Sequence, residues 1–84
     1  MEMQMSKGGL TPKQFEMYQA IDSFIDKNGY SPSYKELAKA TGKANSSTAF
    51  HIIKRLQQRG YVASIPGSGR SLTIIREIEE IDLP

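Results

Sequence analysis

Cysteine is absent from the 84 residues, which removes disulfides, thiolate zinc sites and cysteine nucleophiles together. The single histidine, His51, cannot make a multi-histidine metal site either. No apolar run approaches the length of a membrane span, and the N-terminus lacks the hydrophobic stretch of a secretory signal. These gaps leave little catalytic equipment. They point to a soluble, cytoplasmic protein with no metal, no cofactor, no membrane and no small-molecule substrate. The composition, 38% hydrophobic and 24% charged with seven Gly and four Pro, is that of an ordinary globular chain rather than a disordered one. A chain this short makes one domain with a small core and a thin stability margin.

Acid is also missing from the middle of the chain. From Lys39 to Arg76 the cations are Lys39, Lys43, Lys54, Arg55, Arg59, Arg70 and Arg76, with no Asp or Glu among them. Glu77, Glu79, Glu80 and Asp82 then crowd into the last eight residues, so the net charge of +2 conceals a sharp split. Without that tail, eleven basic residues face five acidic ones. Such a block is the electrostatic footprint of a polyanion binder, with a solvated basic face as the plainer alternative.

Residues 1–9 read as a flexible lead, rich in Met and Gly and without periodicity. Thr11-Pro12-Lys13-Gln14 is a helix start: Thr caps, Pro suits the first helical position, and Gln14 reaches back to complete a capping box. Phe15, Tyr18, Ile21 and Ile25 follow at helical spacing, with Phe24 widening the stripe. Lys27-Asn28-Gly29 supplies a cation in the last turn and a glycine stop. The pattern predicts a helix over 12–28 whose stripe is core. After the turn at Ser31-Pro32, Ser33 and Glu36 make a second capping box. The short helix it opens carries Leu37, Ala38 and Ala40 inward and stops at Gly42. Only Lys43 and Ala44 separate that glycine from Asn45, a good N-cap for a third helix. Helix, tight turn, helix is the layout of a helix-turn-helix unit.

In the third helix Ala49, Ile52, Ile53 and Leu56 share one arc of roughly 100°. Ser47, His51, Lys54, Arg55 and Gln58 occupy the opposite arc, and Thr48 and Phe50 sit on the borders. Gly60 ends the helix, with Arg59 in its last turn. Two runs rich in β-formers follow, Tyr61 to Ile65 and Leu72 to Ile75, joined by the glycine-rich Pro66-Gly67-Ser68-Gly69-Arg70-Ser71. The expected fold is mainly α with a small β-hairpin: three helices and a two-stranded wing, a winged helix-turn-helix over 10–75, with 76–84 as an acidic tail or linker.

The segments LTPKQFEMYQAI, GYSPSYKELAKATG, SSTAFHIIKRLQQRGYV and GSGRSLTI, in that order, resemble the N-terminal DNA-binding domain of LexA-type repressors. The resemblance covers Leu10 to Ile75. It implies a winged helix-turn-helix that binds double-stranded DNA and represses transcription. It places base reading at Asn45, Ser47, Thr48, Phe50 and His51. With the third helix in the major groove, Lys43, Lys54, Arg55 and Arg70 would contact phosphates, together with backbone amides at the start of the second helix near Ser33 and Tyr34. Where the family pattern has two glutamates this chain has Phe50 and His51, so no operator sequence carries over. EIEEIDLP resembles the acidic linker that precedes the family's C-terminal part, with its cleavage site and Ser–Lys pair. A fragment of a longer repressor and a free-standing domain both fit. The implied assembly is a monomer or weak homodimer in solution, with two copies on a palindromic site.

Other readings of these residues are weaker. His51 lacks the second histidine or cysteine of a metal site and the nearby acid of a general base, which leaves groove contact or an idle surface position. Phe50 suits a partly buried core position, or else apolar contact with a thymine methyl. The glycine-rich tip lacks the Lys-Ser/Thr ending of a phosphate loop and precedes a strand. Arg70 on that tip suits a wing that meets the backbone or the minor groove. Glu16, Asp22, Asp26 and Glu36 have no partner that would tune them for catalysis. A winged helix that docks on a protein is the alternative from another class, and an exposed apolar patch would be its mark.

Overall fold

In the computed structural model, which describes residues 9–43 and 45–84, Thr11 opens the first helix as a full capping box. Its Oγ1 accepts from the Gln14 amide at 3.1 Å, and Gln14 Oε1 accepts from the Thr11 amide at 3.2 Å. Helix α1 spans Pro12–Asn28 and closes on Gly29, whose φ of 79° is a left-handed conformation that favours glycine. The lead expected over 1–9 lies, Gly9 apart, outside the described residues. Ser33 and Glu36 form the second capping box, at 2.9 and 3.1 Å, and open α2, Tyr34–Ala40. Helix α3, Ser46–Gln58, starts on Asn45, whose Oδ1 accepts from the Thr48 amide at 3.1 Å.

The three helices meet on one core of Met17, Tyr18, Ile21, Leu37, Ala38, Ala49, Ile53 and Leu56, joined by Leu10, Tyr61, Val62 and Leu72. Ile53 and Leu56 keep no accessible surface, and burial of each is worth about 1.5–3 kcal/mol. Met17, absent from the expected stripe, is equally buried. Ala40, expected inward, is exposed. It lies well off the arc that Leu37 and Ala38 define, because each helical residue turns the chain by about 100°.

The wing is a two-stranded antiparallel sheet of β1, Val62–Ala63, and β2, Thr73–Ile74, with Val62 opposite Ile74 and Ala63 opposite Thr73. Its strands are shorter than the runs 61–65 and 72–75 had promised. At one end the Tyr61 carbonyl accepts from both Ile75 N (2.9 Å) and Arg76 N (3.3 Å), which breaks the regular ladder. At the other, the Ile65 amide donates to Ser71 Oγ at 2.8 Å, so a side chain replaces the next rung.

The tail folds back on the body. Glu77, Glu79 and Glu80 are exposed, as a solvated acidic stretch would be, but Asp82 is fully buried. Its carboxylate accepts from Arg76 Nη2 at 3.2 Å, from the Glu79 amide at 3.0 Å and from the Tyr61 hydroxyl. Its carbonyl accepts from the Leu10 amide at 2.9 Å. Arg76 in turn lies over the Tyr61 ring at 4.7 Å, and its carbonyl accepts from Tyr18 Oη at 3.2 Å. Burial, then Asp82 itself, pushes the Tyr61 hydroxyl up to about 12. The Tyr61 hydrogen bond is the main cause holding the Asp82 carboxyl below the usual carboxylate range. A buried carboxylate is tolerated only with partners on this scale.

Candidate nucleic-acid interface

The capping of α3 by Asn45 and the burial of Ala49, Ile53 and Leu56 fix which side of the helix faces out. Ser47, His51, Lys54, Arg55 and Gln58 are exposed, as the arc predicted; Thr48, expected on the border, is exposed too, and Ile52, expected inward, is half-buried. Asn45 sits at the head of the same surface, its Oδ1 also accepting from Thr48 Oγ1 at 3.4 Å. The structure therefore gathers Asn45, Ser47, Thr48 and His51 over the first two turns of α3. Phe50 stands beside them, 39% exposed. It packs at the edge of the core against Tyr34 of α2, ring centroids 5.6 Å apart, and lies 5.7 Å from the His51 ring. Lys54 Nζ rests 5.7 Å from the Phe50 centroid, so a cation caps this aromatic strip.

Between α3, the head of α2 and the wing runs an open groove of about 830 Å³. Ser33, Tyr34, Phe50, Lys54 and Gln57 line one side, and the wing from Val62 to Gly69 lines the other with Ile75. Gln57 Nε2 donates to Ser64 Oγ and so ties α3 to the wing. Ile65 and Ile75 are largely exposed on it. The sequence had marked Ser33 and Tyr34 for contact but not Gln57 or the two isoleucines. Their roles depend on what the wing lands against, which no local pattern carries.

The cations divide into two sets. Lys54 and Arg55 are exposed on the outer face of α3. Lys43 is mostly covered and meets Glu16 of α1 at 3.4 Å. Arg70 turns from the wing toward α2: Nη1 and Nη2 donate to the two oxygens of Glu36 at 2.8 and 2.9 Å, and Nη1 also donates to the Ser31 carbonyl at 3.0 Å. The Arg70 fork, followed by the Ser33 amide, holds the Glu36 carboxyl down at about 2. Glu36 is thus ionised and matched by a guanidinium.

A helix of 13 residues is about 20 Å long. Its outer face offers hydroxyls, an imidazole, an amide and two cations with no carboxylate. That set can hydrogen-bond base edges and neutralise phosphates. Among the described residues no group of three or more His, Cys, Asp or Glu gathers as a metal site, and no helix is long and apolar enough to cross a membrane.

The LexA DNA binding domain family matches residues 6–71. The LexA repressor of Staphylococcus epidermidis is 35% identical over 75 residues, which is 88% of this chain and 36% of that protein. That of Moorella thermoacetica is 36% identical over 66 residues, 79% of this chain and 32% of the relative. That of Syntrophobacter fumaroxidans is 45% identical over 56 residues, 67% and 27% respectively. The chain spans about a third of the length of these curated relatives. With three helices and a two-stranded wing in the matching order, this chain belongs to the LexA DNA-binding domain family.

Proposed function

We propose that the domain recognises a specific duplex site by laying α3 in the major groove, and that it serves a transcriptional repressor of the bacterial cytoplasm, bound to the nucleoid. The observation that carries this is the acid-free outer face of α3. Ser47, Thr48 and His51 stand at its N-terminal end, with Lys54 and Arg55 behind them. In helix-turn-helix proteins the N-terminal residues of the recognition helix meet base edges while flanking groups meet the backbone. Asn45, Ser47, Thr48 and His51 would read bases, and Phe50 would offer an apolar edge to a thymine methyl. Lys54 and Arg55 are free to meet phosphates, and Ser33 and Tyr34 border the groove into which a strand would pass. Lys43 reaches a phosphate only by leaving Glu16. The relatives carry the name LexA repressor, and repression comes to this chain as part of the same proposal. Two copies would occupy a palindromic site, with little association in solution.

A fluorescence anisotropy titration on duplex DNA at several salt concentrations tests it. With about four to six phosphates neutralised, log K falls with log salt at about −0.9 per contact. Ser47→Ala, Thr48→Ala and His51→Ala each cost about 1–3 kcal/mol on a preferred site and little on random duplex. No binding in low salt, or equal losses on both duplexes, overturns the proposal.

A further inference from the structure

We infer that Arg70 is a positioning residue that clamps the wing to the head of α2, and that it acts on DNA binding through the attitude of the wing rather than by touching a phosphate. The inference rests on the DNA-binding reading above.

Its ground is how little holds the wing beyond the Gln57–Ser64 bond and the buried Val62 of the first strand. The two strands pair over only two residues each, and so short a hairpin has no stability of its own. Residues 65–70 are all exposed. Around the tip, Ser68 N bonds to the Ile65 carbonyl, and Ser71 Oγ bonds to Ile65 and Ser68. Those bonds shape the tip without orienting it. Gln57 of α3 holds Ser64 after the first strand, and the approach to the second strand is oriented by the ties between 70–72 and 30–36. The guanidinium grips both oxygens of Glu36 and the Ser31 carbonyl, and lies 5.3 Å from the Tyr30 ring centroid. Two residues on, the Leu72 amide donates to the buried Ser31 Oγ at 2.9 Å, and Ser31 Oγ donates to the Pro32 carbonyl. Leu72 itself is in the core.

A planar fork against a carboxylate fixes direction as well as distance, which a point charge such as lysine cannot do. Glu36 is held just as firmly from its other side, since Oε1 also accepts from the Ser33 amide in the capping box. The wing is therefore referenced to the same turn that opens the helix-turn-helix. A wing ordered in advance spares the ordering cost that a loose one would bear on meeting DNA.

Arg70→Lys keeps the charge and loses the fork, and Arg70→Ala loses both. The measurements are duplex affinity, its salt slope, and hydrogen exchange at the Leu72 amide. Both variants should bind about 3–10-fold more weakly, Lys no better than twofold above Ala. The salt slope of Arg70→Lys should stay at the wild-type value, and Leu72 exchange should quicken in both. The clamp is overturned if Arg70→Lys binds like wild type while Arg70→Ala loses affinity and about 0.9 of slope, the signature of one lost phosphate contact. It is equally overturned if neither variant changes affinity, or if Leu72 exchange is unmoved. Failure of the wild-type domain to bind duplex at all is a different result: it removes the DNA reading itself, and the clamp's role in binding with it.

Discussion

Asn45 serves both folding and the proposed contact, and two substitutions separate these roles by the sign of their effects. Its Oδ1 accepts from the Thr48 amide at 3.1 Å, and the residue sits at the head of the exposed face of α3. Asn45→Ala removes the cap, which costs about 1 kcal/mol. In a domain of this size that lowers the thermal midpoint by about 4–8 °C. Asn45→Asp keeps an acceptor in the same place and adds a negative charge at the positive end of the helix, a gain of about 0.3–1 kcal/mol. Its midpoint should equal or exceed that of the wild type. On DNA the order reverses. A carboxylate roughly 6 Å from a phosphate, at an effective dielectric near about 40, is repelled by about 1.4 kcal/mol, a tenfold loss of affinity for each such phosphate. The aspartate variant should thus be the more stable protein and the poorer binder. Circular dichroism melts beside anisotropy titrations read both quantities. An Asn45→Asp domain that binds duplex as tightly as the wild type would show that the start of α3 does not approach the backbone, and the docking geometry would fall.

Stability should decline in acid. The Glu36 carboxyl is held at about 2 against an ordinary 4.5, and Asp82 is lowered from 3.8. Their contributions are complete above about pH 4.5 and drain away as pH falls through the folded-state values. Melts from pH 6 down to pH 2 should show the fall, and Glu36→Gln should flatten it; a midpoint indifferent to pH would contradict both assignments. Asp82→Ala leaves the buried Tyr61 hydroxyl and Arg76 without their acceptor, at a cost of roughly 1–3 kcal/mol by chemical denaturation. The salt slope of duplex binding should not change, because the partners of Asp82 are Tyr61, Arg76 and the Glu79 amide rather than the outer-face cations Lys54 and Arg55.

The helices were legible because their signals are local. Thr11, Pro12, Gln14 and Gly29 mark both ends of α1 within a few residues of chain, and each capping group meets the partner its spacing implied. The outer face of α3 was legible for a related reason: a buried inner arc leaves only one side to solvent. What escaped depends on groups brought together from afar. Glu36 and Arg70 are 34 residues apart, and no periodicity pairs a capping glutamate with a wing arginine. Asp82 looked like one more acid in a charged tail. Its burial required Tyr61 and Arg76 to be waiting for it, and composition counts charges without their partners. The wing was overestimated because Ser71 competes for the Ile65 amide, an exchange of side chain for backbone that β-propensity does not register.

The docking of Asp82 also decides the path of mechanical load. A pull applied at residue 84 meets, within two residues, a carboxylate anchored to Tyr61 and Arg76 and a carbonyl bonded to Leu10 just ahead of α1. Tension entering there passes into the three-helix body. Tyr61 and Arg76 flank the two strands and bond to each other, so load on the tail reaches the base of the wing before its tip.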